Sequence, residues 1–67
     1  MIIDALEAKY KAEIASAKAN IQVYLENPAG IGEHPDLVAA VDEQMAKLAE
    51  ADDKYDTLVK HYRKYLT

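Results

Sequence analysis

Asn27-Pro28-Ala29-Gly30-Ile31-Gly32-Glu33-His34-Pro35-Asp36 contains every proline and every glycine of the chain, and helix-compatible residues run away from it on both sides. Each X-Pro pair biases the preceding residue, Asn27 or His34, away from the α region. One helix therefore stops near Asn27 and the next begins at about Pro35. The two glycines between the prolines allow the backbone to reverse within a short span. The stretch reads as the turn of an antiparallel two-helix hairpin, with Pro28, Gly30, Ile31, Gly32 and Pro35 as its structural residues. Ile31, the one large apolar residue of the loop, is expected to fold back over the helix ends; the rival reading is an exposed contact for a partner.

Upstream of the turn, Ile3, Leu6, Tyr10, Ile14, Ala17, Ile21 and Tyr24, with Leu25, step by threes and fours, which places them on one stripe of a helix over about 5–26. Asp4 and Glu7 have the spacing of a capping box before it. A second stripe, Ala5, Ala8, Ala12, Ala15 and Ala19, lies on the opposite side. These alanines either sit in water and simply favour the helix, or let a second helix approach closely.

Downstream, a helix over about 35–66 has His34 at the cap position, Pro35 in its first turn and Asp36 near the positive end of the dipole. Val41, Leu48, Tyr55 and Tyr62 recur every seven residues, accompanied by Leu37, Ala51, Leu58 and Tyr65 and by Val38, Met45, Val59 and Leu66. Gln44 and Asp52 interrupt this pattern as polar residues that fix register or face an edge. Centring the turn midway between Asn27 and His34 pairs Tyr24 with Leu37, Ile21 with Val41, Tyr10 with Ala51 and Ile3 with Leu58. Residues beyond Val59 then overhang by about 12 Å at 1.5 Å per residue.

At 67 residues the chain is one domain, 1–67, whose core stabilises it by roughly 3–5 kcal/mol at best. Without cysteine, neither a disulfide nor a thiolate metal site can supplement that core. The expectation is all-α architecture in which two hairpins dimerise into a four-helix bundle. Its interface is expected to use Tyr55, Val59, Tyr62, Tyr65 and Leu66 of the overhang and Ala8, Ala12 and Ala15 of the small stripe.

The formal charge of −4 argues against general nucleic-acid binding, although Lys60, Arg63 and Lys64 form a basic end to an otherwise acidic second helix. No run approaches the ~20 apolar residues of a membrane span, and the N-terminus lacks the pattern of a secretory signal. A cytoplasmic location is expected.

Little points to catalysis. His34 and His61 lie about 40 Å apart along a helix rising 1.5 Å per residue, so they could share a site only between chains. His34 with Glu33 and Asp36 is better read as a cap with solvated neighbours than as an ion site. Gly30-Ile31-Gly32 lacks the preceding strand and the Lys-Ser/Thr of a phosphate loop. Ser16, Thr57 and Thr67 are the only hydroxyls apart from the tyrosines, and none is read as a nucleophile. No cofactor and no metal are expected, and the chain reads as a non-enzymatic structural or protein-interaction module. The alternatives are an inhibitor or adaptor that grips a protein partner through the overhang, and a weak nucleic-acid binder using the basic tail.

The turn sequence Asn-Pro-Ala-Gly-Ile-Gly-Glu-His-Pro-Asp-Leu-Val, followed by Val41-Asp42-Glu43-Gln44, resembles a segment of small uncharacterised helical proteins of T4-like tailed phages, including those of marine cyanobacteria. The resemblance covers about residues 20–48. It implies a viral accessory protein acting in the cytoplasm of the infected host, and it carries no functional residue with it.

Overall fold

The computed structural model describes residues 1–27 and 36–67. Two long helices, α1 (Ile2–Glu26) and α2 (Leu37–Tyr62), pack against each other, and a single 3-10 turn (Arg63–Tyr65) follows α2. Their directions are opposed. Asn20 Nδ2 donates to Gln44 Oε1 at 3.1 Å, Lys54 lies over the Tyr10 ring at 5.9 Å, and Thr67 reaches Asp4. The molecule is a rod of 47 × 15 × 15 Å.

The termini of the helices depart from the expected caps. α1 begins at Ile2, with Met1 as its N-cap and no side-chain cap, and the Ala5 N–H donates to the Met1 carbonyl at 3.0 Å. Asp4 thus lies within the first turn, where a carboxylate favours the dipole, and the Asp4–Glu7 capping box does not form. At the other end the Asn27 N–H closes the helix on the Val23 carbonyl at 2.9 Å. α2 is capped by Asp36, whose Oδ1 accepts from the Ala39 N–H at 2.9 Å. The role expected of His34 therefore falls two residues later. Pro28, Gly30, Ile31, Gly32, His34 and Pro35 lie outside the described residues, and with them the expected turn and the fold-back of Ile31.

The register also differs. The expected pairs follow a turn centred between Asn27 and His34, whereas the observed contacts join Asn20 to Gln44 and Tyr10 to Lys54, nearly one helical turn further along α2. Because α1 starts earlier and α2 starts and ends differently from expectation, the helices are nearly equal, at 25 and 26 residues. No 12 Å overhang forms. The chain leaves the α conformation at Tyr62 (φ −128°, ψ 21°), makes the 3-10 turn and becomes extended at Leu66, and Thr67 lies against the first turn of α1.

The core is thin and made of small residues. Ala17, Ala40, Ala51 and Leu58 are the buried side chains among the described residues. Small side chains at the contact let the helix axes come close, and the large apolar residues then flank the seam instead of filling it. Ile3, Leu6, Tyr10, Ile14, Ile21 and Tyr24 are accordingly half-buried on α1, as are Leu37, Val41, Leu48, Tyr55 and Val59 on α2.

Candidate interaction surface

α2 carries two apolar seams. One faces α1 through Ala40, Ala51 and Leu58. The other, beside it, runs along Val38 and Met45, which are exposed, and Val41, Leu48, Tyr55 and Val59, which α1 leaves half-covered. Val38 is 81% exposed and Met45 47%. At the turn end this second seam joins Tyr24, Leu25 and Leu37 to line an open apolar depression of about 540 Å³.

The edge of α1 beside this seam is charged. Glu7 and Lys11 pair at 3.7 Å, and the Lys11 ammonium sits 5.9 Å from the centre of the Tyr55 ring. Lys18 follows two turns later on the same side. Exposed large apolar side chains remain on both helices, Ile2, Val23 and Leu25 on α1 and Val38 and Met45 on α2.

The opposite face of the hairpin is polar. Ser16, Asn20, Gln44, Lys47, Glu50 and Lys54 border a groove of about 210 Å³. Gln44, which interrupts the seven-residue pattern, is explained by its bond to Asn20 across the hairpin. Glu50 accepts from Lys54 at 3.0 Å, and this bond, reinforced by its charge, raises the Lys54 pKa above the ordinary 10.5. The group is a solvated helix pair with Glu four residues before Lys, as is Glu43–Lys47.

Of the interface residues expected from sequence, Tyr55 and Val59 lie on the second seam of α2, half-buried. Tyr62 and Tyr65 are each about half exposed, with ring centres 6.5 Å apart, and border a depression of about 640 Å³ with Met1, Ile2 and Ile3. Leu66 is half-buried in the returning tail. Ala8, Ala12 and Ala15 are exposed, as are Ala5 and Ala19. Lys60, Arg63 and Lys64 are exposed, and none pairs with a carboxylate among the described residues; Lys64 lies 5.2 Å from the centre of the Tyr65 ring.

Sequence reasoning did not find the Asp4–Thr67 contact or the cap at Asp36. Asp36 had a usable signal, since an Asp immediately before Leu37-Val38 is a stronger N-cap than His. The returning tail had none, because no Pro or Gly follows Pro35.

Among the described residues no group of three or more His, Cys, Asp or Glu is placed to hold a metal ion, and no helix is long and apolar enough to cross a membrane. No protein-family model matches the chain, and no curated protein or solved structure does so either.

Proposed function

We propose that the chain is a non-enzymatic, self-associating interaction module in which two hairpins pair into a four-helix bundle. The observation that supports it is an imbalance. Among the described residues three alanines and one leucine are buried, yet Ile2, Val23, Leu25, Val38, Met45 and both terminal tyrosines stay substantially in water. A core of that size contributes too little to hold so small a chain by itself, and a second copy would cover the seam of α2. The likeness of the turn to tailed-phage proteins adds an accessory role in an infected cytoplasm to this reading.

Analytical ultracentrifugation over a wide dilution range, with helicity followed on the same samples, tests it. The expected result is a dimer that loses helix as it dissociates. A monomer that keeps its full helicity at every concentration would reject self-association.

A second reading is favoured by one feature, the pair of half-exposed rings of Tyr62 and Tyr65 beside the apolar depression at the open end. Aromatic side chains in such a setting are typical anchors for a protein partner. In this reading the module is an adaptor that grips its partner by the folded-back tail and not by an overhanging helix.

A further inference from the structure

We propose that the second seam of α2 docks on the same seam of a second copy, with the two α2 helices antiparallel. This rests on the self-association reading and adds the helix, the orientation and the register. The seam has a coiled-coil layout. Val38, Met45, Asp52 and Val59 recur every seven residues along α2, and Val41, Leu48, Tyr55 and Tyr62 follow each of them by three. Such a double row occupies one narrow stripe and calls for a partner helix lying along it. α1 covers that row only in part: Val41, Leu48, Tyr55 and Val59 stay half-buried and Val38 and Met45 exposed, and the α1 edge beside the row carries Glu7, Lys11 and Lys18. A second α2 presents the matching surface.

Charge decides the direction. The turn end of α2 carries Asp36, Asp42 and Glu43, and its other end carries Lys60, Arg63 and Lys64. Antiparallel pairing brings each acidic end beside the partner's basic end; parallel pairing sets like charge on like at both ends. Asp52 points the same way. It is the one charged residue in the double row, and parallel pairing would place it directly against its own copy. An antiparallel pair centred near Glu50 offsets the two Asp52 side chains and sets each close to Leu48 of the partner subunit. The charge in the seam thus penalises the wrong arrangement.

The chain has no cysteine, so single-cysteine variants carry spin labels at chosen points. Ala39→Cys and His61→Cys place labels near the two ends of α2, at exposed positions off the seam. In the antiparallel pair each label lies about 35 Å from its copy, from the 1.5 Å rise over the residues separating it from the centre on both chains. Dipolar distance measurement at both positions, with mass determined on the same samples, is the test. A dimer with about 35 Å at both positions supports the proposal. A dimer with a clearly shorter distance at either end overturns the orientation and leaves self-association standing. A monomer overturns both.

Met45→Lys gives an independent readout of the seam, with Val23→Lys, on an exposed part of α1, as the control. Met45→Lys should weaken the dimer at least tenfold while Val23→Lys leaves it unchanged. Equal behaviour of the two variants would overturn the assignment to α2.

Discussion

Thr67 donates to a single carboxylate oxygen of Asp4 twice, from its backbone N–H and from its hydroxyl, each at 3.2 Å. The other Asp4 oxygen lies 3.7 Å from the Met1 amine. One aspartate in the first turn of α1 therefore holds both the start of that helix and the tail that follows α2. The contact is exposed, so its strength is modest. Asp4→Ala is expected to cost about 1 kcal/mol, the usual net worth of a hydrogen bond once water competes for its groups. Slow exchange of the Thr67 amide should also disappear. Urea titration and amide exchange by NMR check both, and an unchanged Thr67 amide would mean that the tail is not held in solution.

Asp36 caps α2 by accepting from the Ala39 N–H at 2.9 Å. Replacing an N-cap aspartate with alanine leaves that donor without its partner and typically costs about 1 kcal/mol. Asp36→Ala should lower stability by that amount, whereas Asp36→Asn, which keeps the accepting oxygen, should change it by only a few tenths. Equal losses from both variants would assign the effect to the charge and the helix dipole, not to the hydrogen bond.

How far the sequence could be read follows from where its strongest signals lie. Pro28, Pro35 and the glycines between them separate two helices without ambiguity, because they act on the backbone directly. The apolar periodicity identified the stripe but not its centre. Ile14 and Leu48 dominate any count of hydrophobicity, yet Ala17, Ala40 and Ala51 take the deepest positions, since close approach of two helices selects for small volume at the contact. Register slipped for a related reason: neither helix starts where its sequence signals suggested. The departure from α geometry at Tyr62 has no breaker behind it. It coincides with a tertiary bond to Asp4, a contact between residues 63 positions apart that no local pattern announces.

Lys54 lies within 3.0 Å of Glu50, and its pKa stands above the ordinary 10.5 chiefly because of that hydrogen bond and then the accompanying charge. The raised value means that the folded chain holds this proton more tightly than the unfolded one. The associated stabilisation is fully present below pH 10.5 and is lost as pH rises through the folded-state value. An NMR titration of the Lys54 Cε should therefore show a midpoint above 10.5, and Glu50→Gln should move it back toward 10.5. No movement in the variant would show that the pair is not populated in solution.

The small-residue core makes a prediction that also bears on the exposed alanine stripe. Leu58 is the one large side chain among the four residues buried in the described part of the chain, and Leu58→Ala should cost about 2–5 kcal/mol through lost burial and the cavity left behind. Ala51 is 3% exposed at the helix contact, so Ala51→Leu must push the helices apart and should cost about 1–3 kcal/mol. Ala12 faces solvent on the far side of α1. Ala12→Leu should fall within about 0.5 kcal/mol of the parent, as surface substitutions usually do. Denaturant titrations at one protein concentration give all three values. If Ala12→Leu proved as costly as Ala51→Leu, the stripe from Ala5 to Ala19 would be a packed interface in solution, and the bundle would have to close on α1 instead of on the second seam of α2.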